Sequence, residues 1–161
     1  MPATVSVVII NYNGSESILD CLESVDAQTQ QPDEVIVVDN ASTDDSPALI
    51  CRHYPHVRLI ESPENLGYAG GCNLGIRESS GDLIAVLNND LRLHKDWLKN
   101  LADRVEPPWS FWASMIVFAS EPRTVDSAGD AMAVVGSAYK IGHGDDIGRH
   151  SITGEVFGPC G

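Results

Sequence analysis

Three short polar segments of this sequence each follow a run of apolar residues. Residues at the end of a parallel strand lie where open α/β sheets bind their ligands. A carboxylate there can accept from a ribose or a base, and a carboxylate beside amides suits a hard divalent cation. One such segment alone is commonly a turn or a helix cap. Three at one sheet edge favour a binding site, and they are Asn11, Tyr12 and Asn13, then Asp39 and Asn40, then Asn88, Asn89 and Asp90.

Such a site requires strands that bring the three segments to one edge. Apolar runs rich in β-branched residues predict buried parallel strands at residues 5–10, 34–38, 57–61 and 83–87. Helical spacing, proline and glycine signals predict intervening helices at residues 18–25, 48–54 and 68–77. Ser15 is the predicted cap of the first helix. This alternation predicts an α/β fold with a mostly parallel central sheet.

The pattern changes after the third polar segment. Apolar residues predict a further helix over residues 95–105 and a strand over residues 111–118. Glycines then recur without a clear period, so we expect the last part of the chain to be rich in loops.

The composition limits the class of protein and of ligand. A chain of 161 residues, 43% of them hydrophobic, suits one folded domain. Its net charge of −13 argues against nucleic acid and anionic membrane as partners, because both select cationic surfaces. An anionic small molecule is compatible with this charge, since a metal ion or a helix N-terminus can receive phosphate.

Cysteine spacing and the lack of two nucleotide-binding motifs further limit the predicted compartment and class of protein. The widely spaced Cys21, Cys51, Cys72 and Cys160 form no CxxC pair, and we expect buried thiols in a reducing compartment. With no leader and no membrane-length apolar run, the expected location is cytoplasmic. Neither a GxxxxGK loop nor GxGxxG follows the first strand, which argues against P-loop and NAD-binding proteins.

Four segments together carry a resemblance to a known family. They are VSVVIINYNG at residues 5–14, VVDNASTD at 37–44, NLGYAGGCNLG at 65–75 and LNND at 87–90. In this order and spacing they resemble the family 2 glycosyltransferases of GT-A fold, in particular the rhamnosyltransferase-like branch. Similarity is weaker from Asp126 to the closing residues 157–161. The resemblance implies a Rossmann-type three-layer sandwich.

The resemblance also implies a domain organisation. Residues 1–161 would form a single GT-A nucleotide-sugar-binding domain, with residues 1–105 as its nucleotide-binding half. Residues 106–161 would begin the acceptor-side region, so that the chain is expected to be truncated after the donor-binding half.

A nucleotide-diphosphate sugar is the donor that this resemblance implies. Asn11, Tyr12 and Asn13 would line the nucleoside pocket, and Asp39, with Asn40 beside it, would bond the pyrimidine base. The loop and helix start beside the ribose and diphosphate would contribute Asn65, Gly67, Gly71 and Asn73.

The third polar segment stands at the family's DxD position. Asn88 and Asn89 would contact the substrate, and Asp90 would be the ligand of Mg²⁺ or Mn²⁺. Asn88 replaces the first acidic residue of the motif, which leaves fewer charged ligands. Cys72 stands where many relatives have an arginine, so one cation that could meet the diphosphate is missing.

The implied function is transfer of a sugar from a UDP- or dTDP-linked donor to an acceptor hydroxyl, with inversion and assisted by the metal. The acceptor would be a saccharide or a lipid-linked molecule, and the protein could associate peripherally with a membrane-bound acceptor. No residue is identified as the general base. The alternatives are a non-catalytic sugar-nucleotide-binding module and, third, a sugar nucleotidyltransferase, although Asn11 to Ser15 lack the arginine that its triphosphate loop requires.

Overall fold

A parallel sheet organises the first of two units in the computed structural model, which describes residues 3–104, 111–133, 137–150 and 156. The units are Met1–Arg104 and Val105–Gly161. The sheet has the strand order β3-β2-β1-β4, and every neighbouring pair is parallel. Its strands are β1 (Val5–Asn11), β2 (Glu34–Asp39), β3 (Arg58–Glu61) and β4 (Leu83–Asn88).

The strand order creates a topological switch between β1 and β4. The chain adds β2 and β3 on one side of β1 and later adds β4 on the other side. Asn11 pairs with Asp39 across β1 and β2, and Ile10 pairs with Asn88 across β1 and β4. The three strands therefore end together at one edge, beside the switch point where open α/β sheets bind ligands.

Helices cover both faces of the sheet and complete three layers. On one face, Val7 and Ile9 of β1 pack with buried residues of α1 (Ile18–Asp26) and α2 (Ser46–His53). On the other face, Val8 and Ile10 pack against α3 (Gly67–Glu78). This three-layer arrangement confirms the predicted α/β fold class. It forms because alternate side chains of an apolar strand point to opposite faces of the sheet and are buried on both.

The contact between α3 and the sheet depends on a glycine. A Cβ atom added at Gly75 would lie 2.2 Å from Cγ1 of Val8 and 3.1 Å from Cγ2 of Val38. No real side chain fits at these distances, so Gly75 allows α3 to lie directly on β1 and β2.

The second unit consists of short antiparallel strands. β5 (Ile116–Phe118) pairs with β6 (Glu121–Ser127), and β7 (Asp130–Met132) pairs with β8 (Ala138–Lys140). A short 3-10 helix follows at Ile147–His150. The strand predicted over 111–118 was too long. The prediction of a loop-rich region beyond it was right in part, because loops and turns join the described elements, but it missed the strands β6, β7 and β8. The cause is composition: β6 reads EPRTVDS and carries no apolar run that would reveal a strand.

Two local predictions in the first unit were also wrong. Ser15 does not cap α1, which begins at Ile18 without a side-chain cap, and the Ser15 backbone N–H donates to the Asp44 carboxylate at 2.9 Å instead. Among the cysteines, Cys21 is buried and Cys72 half-buried, but Cys51 lies exposed on α2.

Other predictions near the unit boundary were only partly met. α4 spans Trp97–Ala102, which is shorter than the predicted helix over 95–105, and residue 105 lies outside the described residues. Cys160 and the closing segment 157–161 lie outside them as well. Within the described ranges, no helix is both long and apolar enough to cross a membrane.

Candidate functional site

A cleft of about 360 Å³ opens at the carboxyl edge of the sheet. The ends of β1, β2 and β4 contribute to its walls, as does the start of α3. Its lining residues are Ile10, Tyr12, Asn40, Asn65, Gly67, Tyr68, Asn88, Asn89 and Asp90.

Asn11 lies behind this cleft and is fully buried. Its Nδ2 donates to Oδ1 of Asp39 and to Oγ of Ser46, at 2.8 Å in both cases. Its Oδ1 accepts a hydrogen bond of 2.9 Å from Nδ2 of Asn89. One side chain therefore joins the segments that follow β1, β2 and β4.

Asp39 is the buried carboxylate of the site, with 2% of its surface exposed. In addition to the bond from Asn11, its Oδ2 accepts a bond of 2.9 Å from the backbone N–H of Ser42. These donors orient both oxygens and compensate for the loss of water around the charge. Each oxygen keeps further acceptor capacity, because a carboxylate has about four lone-pair sites.

Asn40 fixes the start of α3 against the end of β2. Its Nδ2 donates to Oδ1 of Asn65 at 3.1 Å and to the carbonyl oxygen of Gly67 at 3.0 Å. Its Oδ1 accepts from the backbone N–H of Leu66 at 2.8 Å. Gly67 has a φ of +70°, a conformation that favours glycine, so the turn into the helix depends on this residue.

The segment after β4 supplies three residues to the cleft lining, Asn88, Asn89 and Asp90, each with a side-chain oxygen. Oδ1 of Asn88 is the only buried side-chain nitrogen or oxygen atom that lacks a hydrogen-bond partner among the described residues. Asp90 is exposed and lines the same cleft. Amide and carboxylate oxygens are the ligands that Mg²⁺ and related hard cations prefer.

A metal held by this segment would depend on a single carboxylate. The described residues contain no group of three or more His, Cys, Asp or Glu side chains that could hold an ion. The unpartnered oxygen of Asn88 and the carboxylate of Asp90, two residues that line the same cleft, nevertheless fit a divalent cation that takes most of its ligands from phosphates and water. The residues present therefore fit the group that the DxD-like position implies.

Two neighbours of this segment carry weakly acidic groups that stay protonated. Burial raises the pKa of Tyr68 to about 12, and Cys72 and the carboxylate of Asp90 add to this increase. Burial also raises the pKa of Cys21 to about 12, again with a contribution from Asp90. The Cys21 thiol donates to the Asn88 carbonyl oxygen at 3.6 Å, which ties α1 to the end of β4.

The cleft lining carries a negative charge, that of Asp90, and no positive charge among the described residues. Among the described residues that line it, none is a lysine or an arginine. A diphosphate in this cleft would therefore require a bound cation or backbone N–H groups to compensate its charge.

The cleft brings together most of the predicted site residues. Seven of them line it, namely Tyr12, Asn40, Asn65, Gly67, Asn88, Asn89 and Asp90, while Asn11 and Asp39 are buried and absent from its lining.

Three predicted residues lie elsewhere. Asn13 has a φ of +51° and accepts from the backbone N–H of Thr43 at 2.8 Å, so it shapes the loop after β2. Gly71 is buried against Ile10, and Asn73 is exposed on α3 outside the cleft lining. Their predicted roles in substrate binding remain predictions.

Sequence reasoning did not single out two lining residues, Ile10 and Tyr68. Tyr68 directly follows Gly67 in a segment that the resemblance already covered, and its position in the first turn of α3 was the available signal. Ile10 resembled any other apolar residue of a buried strand.

Comparison with known proteins identifies the class. The sequence matches Glycosyl transferase family 2 over residues 6–128. Because this match covers more than half of the chain, the protein belongs to that family, and the predicted resemblance is confirmed. The fold, the polar strand ends and the cleft are all consistent with this membership.

Curated relatives are longer than this chain. ExoO of Rhizobium meliloti, a succinoglycan biosynthesis protein, is 38% identical over 103 residues, which are 63% of this chain and 30% of the relative. The glycosyltransferase AglE of Haloferax volcanii is 36% identical over 100 residues, 59% of this chain and 33% of the relative. The glycosyltransferase GlyG of Streptococcus pneumoniae is 26% identical over 98% of this chain and 46% of its own length. The chain thus spans about a third to a half of these relatives.

Solved structures share the fold. TarS of S. aureus, in complex with UDP, has a TM-score of 0.57 at 25% identity, covering 62% of this chain and 31% of that protein. The mannosyltransferase PcManGT of Pyrobaculum calidifontis, in complex with GDP-Man and Mn²⁺, has a TM-score of 0.66 at 26% identity. That alignment covers 82% of this chain and 42% of PcManGT.

Proposed function

We propose that this chain binds a nucleotide-diphosphate sugar and serves as the donor-binding part of a glycosyltransferase. The observation that carries the proposal is the convergence of three polar strand ends on one cleft, in a member of Glycosyl transferase family 2. Residues 1–105 would be the nucleotide-binding half of a single GT-A domain, and residues 106–161 would begin its acceptor side.

A UDP- or dTDP-linked sugar is the proposed donor. TarS is described in complexes with UDP and with UDP-GlcNAc, whereas PcManGT is described with GDP-Man, so the test must compare three nucleotides. At the nucleoside end, the exposed ring of Tyr12 would contact the base, and Asp39 would accept one of its N–H groups. Asn65 and Gly67 would lie beside the ribose and diphosphate.

Asp90 would be the carboxylate ligand of Mg²⁺ or Mn²⁺, supported by the oxygen of Asn88. The buried, unpartnered state of that oxygen supports the assignment, because such an atom is costly unless a ligand satisfies it. When bound, the cation offsets the negative charge that develops on the departing nucleoside diphosphate. The absence of lysine and arginine from the described cleft lining gives this compensation particular weight.

The proposed reaction is direct displacement at the anomeric carbon with inversion. The acceptor hydroxyl, on a saccharide or a lipid-linked molecule, attacks opposite the nucleoside diphosphate, and a carboxylate general base takes its proton. No described carboxylate is assigned to that base. A second candidate is a sugar-nucleotide-binding module without transferase activity, because the described cleft lining offers groups that suit a donor but no assigned base. Membership of Glycosyl transferase family 2 favours the transferase and the binding module over a sugar nucleotidyltransferase.

Calorimetry with UDP, dTDP and GDP tests the proposal, with each nucleotide measured in Mn²⁺ and in EDTA. We expect Mn²⁺ to tighten binding of at least one nucleotide to the wild-type protein. We expect Asp90→Ala to abolish that increase, so that its affinities in Mn²⁺ and EDTA become equal.

Asp103→Ala is the matched control, because Asp103 is also exposed but pairs with Lys99 and does not line the cleft. Binding of none of the three nucleotides would overturn the donor site, and an unchanged metal effect in Asp90→Ala would overturn the metal assignment. Release of free sugar from the matching nucleotide sugar would favour the transferase over the binding module.

A further inference from the structure

The buried side chain of Asn11 connects the end of β2 with the segment after β4. We propose that Asn11 is a positioning residue that holds the Asp39 carboxylate and turns the Asn89 amide so that its carbonyl oxygen is left for the cation at Asp90. This inference rests on the proposed function, because it assumes a nucleotide donor and a divalent cation.

The direction of the Asn11 amide follows from its partners. The Asp39 carboxylate can only accept, so the group 2.8 Å from its Oδ1 must be the NH₂ of Asn11. The Ser46 hydroxyl donates its single hydrogen to Oδ1 of Asp44, and its oxygen therefore accepts from the same NH₂ at 2.8 Å. Two independent acceptors thus fix which end of Asn11 faces β2.

The direction of the Asn89 amide follows from that of Asn11. With its NH₂ directed at Asp39 and Ser46, Asn11 presents its carbonyl oxygen to Asn89, at 2.9 Å from Nδ2. A buried carbonyl oxygen requires a donor, so the NH₂ of Asn89 is committed to Asn11. The carbonyl oxygen of Asn89 is then the atom that remains for a ligand in the cleft.

An oxygen at this position adds to the donor set of the segment after β4. The unpartnered Oδ1 of Asn88 and the carboxylate of Asp90 are its neighbours in the chain, and all three residues line the cleft. An NH₂ group in the same place would repel a cation, whereas a carbonyl oxygen is a suitable ligand or water-binding partner. The orientation set by Asn11 therefore matters chemically and not only structurally.

Gly14 leaves the space in which the two amides meet. A Cβ atom at this position would lie 2.0 Å from Nδ2 of Asn89 and 2.4 Å from Oδ1 of Asn11, the two atoms of the hydrogen bond. Gly14 itself is not among the lining residues of the cleft. Substitution of Gly14 can therefore break the bond without removing any atom that would contact the donor.

Two variants test the proposal through nucleotide binding rather than activity. The measured quantity is the metal enhancement, the ratio of the Kd for UDP in EDTA to the Kd in Mn²⁺, with dTDP or GDP used where it binds more tightly. Asn89→Asp keeps an oxygen for the cation but loses the donor to Asn11, and Gly14→Ala forces the two amides apart. We expect both to lower the enhancement roughly tenfold, as for residues that orient metal ligands, and to change the Kd in EDTA much less.

Matched controls isolate the effect of the Asn11–Asn89 bond. Asn100→Asp adds the same negative charge at an exposed position of α4, and Gly75→Ala introduces a comparable steric conflict against Val8, away from the bond. We expect both controls to keep the wild-type enhancement in the folded protein, even where Gly75→Ala lowers the melting temperature.

The outcomes separate this proposal from the proposed function. If Asn89 were a metal ligand without help from Asn11, the added carboxylate of Asn89→Asp would increase the enhancement, and the proposal would be wrong. An unchanged metal enhancement in Asn89→Asp would also overturn the proposal. If Gly14→Ala does not fold, the result for Asn89→Asp alone decides the test. A wild-type protein whose nucleotide binding ignores Mn²⁺ would instead refute the metal site of the proposed function, and this inference with it.

Discussion

The two edges of the parallel sheet both carry acidic side chains, but the hydrogen bonds of these side chains differ between the edges. At the amino edge, Asp33 accepts from the backbone N–H of Val5 at 2.8 Å, and Asp82 accepts from the backbone N–H of Thr4 at 3.0 Å. At the carboxyl edge, Asp90 is exposed in a cleft that Asn88 also lines, and Oδ1 of Asn88 has no hydrogen-bond partner among the described residues.

Glu34 is an example of a carboxylate at the amino edge that accepts several hydrogen bonds from the protein itself. Its Oε2 accepts from Oγ of Ser6 at 2.8 Å and from the backbone N–H of Ser80 at 3.0 Å. Burial alone would raise the pKa of Glu34, but the hydrogen bonds from Ser6 and Ser80 and the charge of Arg58 hold it below its ordinary value. The pKa of Asp82 is lowered as well, chiefly by its hydrogen bonds from Thr4.

The difference teaches that polar residues alone do not mark a site in this fold. Carboxylates whose oxygens are satisfied by nearby backbone and side-chain donors stabilise the ends of strands. Atoms that the protein leaves without partners, in a cleft at a topological switch, are the ones available to a ligand. The comparison predicts that substitutions at the amino edge change stability alone, whereas those at the carboxyl edge change binding. Asp39, whose two oxygens also accept hydrogen bonds from Asn11 and Ser42, should affect both.

The largest expected effect is on nucleotide binding at the carboxyl end of β2. Asp39→Ala removes the buried acceptor that we assign to the base, and we expect a loss of about 1–3 kcal/mol in binding of UDP or dTDP. This corresponds to a roughly 5- to 150-fold weaker Kd in calorimetry. No change in Kd would show that the base lies elsewhere.

The matching substitution at the amino end of the same strand is Asp33→Ala. It removes the acceptor of the Val5 N–H, and we expect the free energy of unfolding to fall by about 1 kcal/mol in urea titrations. The Kd for the nucleotide should stay within about twofold of the wild-type value, because Asp33 lies at the far edge of the sheet. A large loss of binding with intact stability would contradict the comparison.

The smallest effect is expected for Glu34→Gln, which removes the charge of a side chain that is 21% exposed but keeps its polar atoms, and which should cost less than about 1 kcal/mol near neutral pH. Since the pKa of Glu34 is lowered on folding, the carboxylate stabilises the folded state above its unfolded pKa. That contribution disappears as the pH falls through the folded pKa. The stabilities of wild type and Glu34→Gln, measured by urea unfolding from pH 7 to pH 3, should therefore converge at acid pH, and a difference that grows there would contradict this account.

Much of the first unit could be predicted from the sequence because its strands are uninterrupted apolar runs. β2 and β4 extend only one residue beyond their predicted ends, and β1 likewise ends at Asn11 rather than residue 10. The polar residues that follow such strands could be predicted to meet, since parallel strands end at one edge. Five of the residues that line the cleft, Tyr12, Asn40, Asn88, Asn89 and Asp90, were predicted for this reason, whereas Asn65 and Gly67 were predicted from the family resemblance.

The features that could not be predicted depend on partners that are distant in the chain. The role of Asn11 depends on the register that places it beside Asp39, and on a glycine whose missing Cβ admits Asn89. Ser15 is a good cap by residue type, but α1 begins only at Ile18, and both the N–H and the side chain of Ser15 bond to Asp44, 29 positions away. In the second unit, β6 mixes charged and apolar residues, so neither period nor composition reveals its pairing with β5.

The hydrogen bond between Asn89 and Asn11 joins residues 78 positions apart. Contacts at such separation form late and slowly, because a long stretch of chain must be ordered first. The cleft therefore exists only in molecules in which β4 has already docked beside β1. A nucleotide that binds only molecules with β4 docked beside β1 increases the population of those molecules by mass action. The slowest-exchanging amides of the bound protein should then include those of β4, so that a ligand at one edge protects an entire strand.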